Sequence, residues 1–255
     1  MKSAVRVCVL VLCAVWSHVH AAQDPQPYRV GVEDIDYRPY QNGLNGGFEG
    51  FGRELLDAFA RDRGIRFEYR PMPPSRLLES LLHDRIDFKY PDDPDWHGAL
   101  RQGYEIHYSR PIVGYLDGSL VPPERFGRPA AEIRRLGIVL GFTPAAWTQP
   151  IQAGRVALME NADFSALFQQ AMTGRVDAAY ADVRVARAQS QRLFGSPDLL
   201  VYDPGLPHAS GHYRLSSIRH AGLIEDFDRW LAANAALVSR LERQAGLLDP
   251  PGSLD

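Results

Sequence analysis

Three acids and a tryptophan crowd into one six-residue stretch, Pro91-Asp92-Asp93-Pro94-Asp95-Trp96. Carboxylates beside an indole face suit a cationic or polyhydroxylated small molecule, which the acids would neutralise while it stacks on the ring. The same composition also fits a solvated turn stiffened by its prolines, and the residues alone leave both readings open. Just upstream, Lys89 is the only lysine after Lys2. It falls in Ile86–Tyr90, which reads as a parallel strand buried on both faces, where a lone ammonium needs a partner or an open end. Lys89 therefore either faces a pocket or pairs with an acid such as Glu33 or Asp34. Once an N-terminal leader is removed, it is also the sole side chain able to form a Schiff base. His208 and His212 have i,i+4 spacing, but Pro207 and Gly211 argue against a helix there, so they read as loop histidines rather than metal ligands.

Motifs for familiar chemistries are missing from the sequence. It contains no nucleophile elbow, P-loop or HExxH, and the glycines of 46–52 lack the GxGxxG order. This pattern favours binding without covalent chemistry, with no cofactor and no metal expected.

The elements that must position these residues announce themselves through a repeat. Residues 77–90 read LLESLLHDRIDFKY and residues 167–180 read LFQQAMTGRVDAAY. Leu77/Leu167, Arg85/Arg175, Asp87/Asp177 and Tyr90/Tyr180 coincide, and Ile86/Val176 is conservative. Each copy is a helix with apolar residues at helical spacing, a polar turn at Asp84 or Gly174, and a strand entered through Arg-apolar-Asp. A separation of about 90 residues is too long for a solenoid and suits two similar lobes.

Around the first copy, Tyr28–Val32 and Ile65–Arg70 read as strands. The helix between them carries Leu55, Leu56, Phe59 and Ala60 and stops at Gly64, and Ser75 is placed to cap the next helix. Around the second, Leu136–Leu140, Val156–Met159 and Asp177–Tyr180 read as strands, with a helix from Pro144. Ile112–Leu116 looks extended and Asp117-Gly118 reads as a turn. Ile224–Gln244 closes the chain as one amphipathic helix. The expected fold class is α/β, with two doubly wound lobes joined by two crossover strands near 113–121 and 199–214. Lobe 1 is expected to comprise residues 28–116 plus 212–255, and lobe 2 to be inserted as residues 117–211. Ligands of such lobes sit at the strand C-terminal ends, here between the lobes.

The N-terminus predicts export. Lys2 and Arg6 precede an apolar run, Val7–Val15, and Val19-His20-Ala21 offers a cleavage site, so residues 1–21 read as a signal peptide. The run is too short to span a membrane. Both cysteines, Cys8 and Cys13, fall within it, which leaves the mature chain without thiols. The formal charge is −3 for the whole chain and about −5 without Lys2 and Arg6. With no basic stripe, nucleic acid and anionic membrane surfaces are poor candidates as partners.

Taken together, the chain resembles the type II periplasmic solute-binding proteins, in the extracellular branch that includes the polar amino-acid binders. The residues that carry the resemblance are the loop Tyr37, Pro39, Tyr40, the element Gly50-Phe51 with Glu54-Leu55, and Arg85-Ile86-Asp87. Further on come Tyr108-Ser109 with Pro111, the turn Gly141-Phe142-Thr143, and Gly174–Asp182. The resemblance implies that Tyr40 and Tyr37 wall the ligand on lobe 1, and that Gly141–Thr143 offer an anion site at a helix N-terminus. It also implies that Asp182 takes a ligand ammonium group. One departure stands out. Amino-acid binders carry Thr-x-x-Arg before the aromatic-Ser-x-Pro element, and that Arg clamps the carboxylate. Here Arg101 lies near the place with no Thr three residues before it, so the ligand is expected to differ from a standard α-amino acid.

The ligand-site candidates are thus Tyr37, Tyr40, Lys89, Tyr90, Trp96, Arg101, Phe142, Thr143 and Asp182. The implied function is capture of a small polar, amine-bearing ligand by a monomeric periplasmic protein, through hinge closure, for delivery to an ABC permease. Alternatives are delivery to a membrane sensor, or a periplasmic enzyme resembling the cyclohexadienyl dehydratases. An enzyme of that kind would draw a general acid from Glu33, Asp92 or His97.

Overall fold

A computed structural model describes residues 26–248. The expected signal peptide, 1–21, and both cysteines lie outside the described residues. The chain opens with β1 (Tyr28–Glu33), a small hairpin of β2 (Asp36–Tyr37) and β3 (Gln41–Asn42), then α1 (Phe51–Arg63) and β4 (Phe67–Met72). Next come α2 (Pro74–Leu82), β5 (Phe88–Asp92), the short α3 (Gly98–Arg101) and β6 (His107–Tyr108), and the long β7 (Val113–Val121). The second series is β8 (Arg135–Val139), α4 (Thr148–Gln152), β9 (Ala157–Asn161), α5 (Phe164–Met172), β10 (Ala178–Asp182) and α6 (Val183–Phe194). It ends with β11 (Val201–Tyr202), β12 (Ala209–Ser217), α7 (Ala221–Ala233) and α8 (Ala235–Gln244).

The main sheet runs β4-β1-β5-β12-β7-β10-β8-β9. The outer three strands at each end are parallel among themselves, as β4-β1-β5 and β10-β8-β9. Between them, β7 and β12 pair antiparallel through Val113–Asp117 and Ala209–Tyr213. Beyond that shared stretch each strand enters a different half: β7 continues along β10, and β12 along β5. Two doubly wound α/β lobes joined by two crossover strands are the result, as the alternation of elements requires.

The sequence repeat has a physical basis that the structure makes explicit. Asp87 accepts the Arg29 backbone N–H at 2.8 Å and its guanidinium at 3.0 Å. Asp177 does the same for Arg135, at 2.8 and 2.9 Å. Each Asp thus pins the first parallel strand of its lobe to the strand that follows the repeat helix. In each lobe a glycine of that first strand lets the repeat helix press onto the sheet. A Cβ on Gly31 would lie 2.4 Å from Ile86, and one on Gly137 would lie 2.6 Å from Leu167. The recurring Leu and Ile/Val are therefore the plug, and the recurring Asp is the staple.

Local expectations that differ have local causes. Asp117-Gly118, expected as a turn, lies inside β7, paired with Asp182 and Ala181. Gly118 is there because the Tyr202 ring covers it: a Cβ would fall 2.5 Å from that ring. Ser75 sits within the first turn of α2, whose start falls at Pro74, so it does not cap. The expected single C-terminal helix is two, α7 and α8, broken at Asn234, whose amide donates to Trp230 O at 2.9 Å. This pair packs on lobe 1 through Phe227 and Trp230, whose rings lie 4.9 and 5.7 Å from Phe59. Among the described residues, no helix is long and apolar enough to cross a membrane.

Candidate functional site

The carboxyl ends of β1, β5 and β10 meet the middle of β7 and β12 at a cleft between the lobes that is partly open to solvent. Lobe 1 lines it with Glu33, Tyr37, Pro74, Leu77, Lys89, Pro91, Trp96 and His97. Gly141, Phe142, Thr143, Tyr180 and Ala181 face them from lobe 2, and Asp117 and Tyr213 come from the crossover strands. The lobes touch here. Thr143 Oγ1 lies 3.2 Å from His97 Nε2, and the Tyr37 and Phe142 rings meet edge-on at 5.6 Å. Gly141, with φ of 88°, lies against the start of α2, where a Cβ would stand 2.5 Å from Ser75 N.

Five of the candidates from sequence line this cleft: Tyr37, Lys89, Trp96, Phe142 and Thr143. The other four have different employment. Tyr90 is buried with its ring against Gly52. Arg101 turns away, its guanidinium donating to Asp92 at 2.7 and 3.2 Å, to Trp96 O at 2.5 Å and to Tyr108 Oη at 2.6 Å. Tyr40 shares its one hydroxyl proton between Gly114 O at 2.9 Å and Asp182 at 3.2 Å, and accepts from Arg184 at 3.0 Å. Asp182 is fully buried at the N-cap of α6, accepting from Val185 N at 3.0 Å, Leu116 N at 3.2 Å and Tyr40 Oη at 3.2 Å. An aspartate so placed satisfies backbone donors, as N-cap aspartates do.

Asp92 is the hub of a buried ion cluster. Its carboxylate accepts from Lys89 Nζ at 2.6 Å, from Arg101, and from Ser216 Oγ at 2.6 Å. Burial alone would raise its pKa, but Lys89 and Arg101 outweigh that and hold it below the usual range. Lys89 therefore pairs with Asp92, rather than with Glu33 or Asp34, while still edging the cleft. Its ammonium also donates to Pro91 O at 2.7 Å and stands 5.3 Å from the Trp96 ring centre. Asp93 accepts from Tyr115 Oη at 3.0 Å. Of the Pro91–Trp96 stretch, then, the two inner acids serve the protein and Trp96 reaches the cleft.

Two carboxylates in the cleft lack an ion-pair partner among the described residues. Glu33 is 6% exposed, with Gln41 Nε2 at 3.4 Å as its hydrogen bond. Burial pushes its pKa up to about 7, with Lys89 and Gln41 opposing. The Asp117 side chain has no hydrogen bond or ion pair among the described residues. Burial, then Asp182, Asp93 and Glu33, push its pKa well above the usual range. Burial also takes Asp182 up to about 6, against the pull of its backbone donors. His97 goes the other way, its pKa lowered by burial and by Lys89 and Arg101.

The anion site expected at Gly141–Thr143 has a weak base. The turn leads only into one 3-10 turn, Ala145–Trp147, and the five-residue α4. So short a helix develops little dipole. Sequence reasoning missed Asp117, Tyr213, Tyr180 and Leu77 as cleft residues, and weighed Glu33 only as a partner of Lys89 or a general acid and His97 only as a general acid. Asp117 had one signal: it is the single charge in the apolar run of 112–121, hidden by the turn-like Asp-Gly.

No protein-family profile matches the sequence, and no curated protein matches it. Solved structures do. An ancestral arginine-binding protein bound to arginine superposes with a TM-score of 0.68 at 20% identity, over 88% of this chain and 98% of that one. A solute receptor for L-cysteine from Neisseria gonorrhoeae gives 0.68 at 16% identity, over 86% and 89%. An ancestral amino-acid-binding protein, precursor of cyclohexadienyl dehydratase, gives 0.64 at 17%, over 86% and 94%. The fold is that of the type II periplasmic binding proteins.

Proposed function

We propose that this chain is a periplasmic solute-binding protein that captures a small polar, amine-bearing ligand in the interlobe cleft. The observation that carries this reading is Asp117, a carboxylate with no partner of its own, set among Tyr37, Trp96, Phe142 and Tyr213. Such a group opens on the cleft without a protein partner, and a ligand N–H⁺ donor supplies one. The aromatic walls supply apolar contact and cation–π attraction. Asp117 thereby takes the ammonium role that the resemblance assigned to Asp182. Solute binding by structures of the same fold, with arginine and cysteine among the ligands, supports the reading.

Binding and release proceed by hinge motion. Lobe 1 (28–116 and 212–255) and lobe 2 (117–211) swing about β7 and β12, and contacts such as Thr143–His97 form on closure. Export through a cleaved leader, action as a monomer, and hand-over to an ABC permease or a membrane sensor complete the proposal. The test is a thermal-shift screen of polar amino acids and amines on ligand-free protein, with mass-spectrometric recovery of each hit. A hit returned unchanged supports binding; no hit, or hits that appear equally in the blocked-cleft variant Thr143→Trp and in wild type, rejects it.

One observation favours a second reading as an enzyme. A glutamate whose pKa burial raises to about 7, in the same cleft as a histidine whose pKa burial lowers, is equipped for general acid–base work. A dehydratase would then use Glu33 as its proton donor. Turnover of prephenate or arogenate, abolished by Glu33→Gln, would establish it.

A further inference from the structure

We infer that the ligand is a protonated amine or guanidinium that carries no carboxylate group, held between Glu33 and Asp117. This rests on the solute-binding reading and sharpens its substrate class. A carboxylate is clamped by a cation or by converging donors; both cations near the cleft are already engaged, which leaves single hydroxyls such as the unpaired one of Tyr180. Arg101 spends its guanidinium on Asp92, Trp96 O and Tyr108. Lys89 is held by Asp92 and Pro91 O, with the Trp96 face beside it. Thr143 reaches His97, and the backbone turn before it leads into a helix of only five residues.

The acids are in the opposite state. Glu33 comes from the end of β1 and Asp117 from the crossover strand β7, so a cation between them touches lobe 1 and the hinge together. Among the charged cleft residues they are two against one ammonium, and that ammonium is already matched by Asp92. A carboxylate brought in by the ligand would be a third acid in this cleft, with no free cation to offset it. Carboxylate oxygens also call for N–H donors, so a primary amine or guanidinium fits and a quaternary ammonium leaves them unsatisfied.

Matched pairs test this directly: agmatine against arginine, and putrescine against ornithine, each differing in the α-carboxylate alone. Full-length mature protein, stripped of ligand by unfolding and refolding, is titrated with all four by calorimetry. The decarboxylated member of at least one pair is expected to bind roughly tenfold or more tightly than its amino acid. Asp117→Asn and Glu33→Gln, both still folded by circular dichroism, are each expected to erase that preference. Tighter binding of the amino acids overturns the inference and leaves the solute-binding reading standing. Binding by none of the four overturns the inference, and the thermal-shift screen then decides the solute-binding reading separately. A preference that survives both substitutions also overturns it, since the discrimination would lie elsewhere.

Discussion

Asp117 and Asp182 are register partners across the antiparallel β7–β10 ladder, and only one of them is occupied. Asp182 is saturated by two backbone amides and the Tyr40 hydroxyl, whereas Asp117 opens on the cleft. Burial and then the neighbouring Asp182 hold Asp117 above the ordinary aspartate range, while burial raises Asp182 against the pull of its donors. The pair thus divides the work: one aspartate builds the crossover junction and the other waits for a cation.

That division separates two substitutions. Asp117→Asn is expected to weaken ligand binding by about two orders of magnitude, the loss of a buried charge-assisted contact, while leaving stability equal or higher. Asp182→Ala is expected to cost about 1–3 kcal/mol of stability through its lost cap and the orphaned Leu116 N–H. Titration calorimetry and urea melts of the two variants check this; the reverse assignment of effects would return the ammonium role to Asp182.

Asp92 holds two cations in a buried setting, so removing its charge strands both. Asp92→Asn is expected to destabilise the protein by about 3–5 kcal/mol. A double variant, Asp92→Asn with Arg101→Met, should recover part of that loss, because one stranded charge is gone. Chemical denaturation of the single and double variants measures the coupling, and additive losses would show that Asp92 is not the shared partner.

Glu33 makes stability depend on pH. Its folded pKa, about 7, exceeds the ordinary glutamate value of 4.5, so the folded protein binds this proton more tightly than the unfolded chain. Stabilisation from Glu33 is then full below about 4.5 and is lost as pH climbs through about 7, an effect of order 3 kcal/mol. Lys89, Gln41, Asp34 and Asp92 are the groups that face it. Relative to Glu33→Gln, the wild type should lose stability between pH 4.5 and about 8 in melts at matched ionic strength. Parallel curves for the two proteins would refute the raised pKa.

The two repeat aspartates should behave alike. Asp87→Ala and Asp177→Ala each remove a carboxylate that pins two strand segments, at an expected cost of about 1–3 kcal/mol apiece. Lying in different lobes, they should be close to additive in a double variant. Hydrogen exchange should show the loosening confined to β1–β5 in the first and to β8–β10 in the second.

The architecture was legible because both lobes repeat the same constraints. Leu77/Leu167 plug the sheet beside Gly31/Gly137, and Asp87/Asp177 staple it, so the pattern survived in the letters. Four of the five cleft residues could be read for a similar reason, since loop aromatics and a lone strand lysine are conspicuous. Asp117 could not, because Asp-Gly spells a turn as readily as a strand whose glycine admits the Tyr202 ring. Nor could the engagement of Arg101 and Asp182: whether a charged group serves a ligand or the protein depends on partners such as Tyr108, Ser216 and Leu116, which only folding brings near.

The central claim is that an amine sits on Asp117 in the closed cleft. Native mass spectrometry of the protein purified from its own source, beside its Asp117→Asn variant, addresses it most directly. The expected result is a single small molecule with a basic nitrogen, bound one-to-one in the wild type and absent from the variant. The same molecule on both proteins, or a ligand with no basic nitrogen, would contradict it.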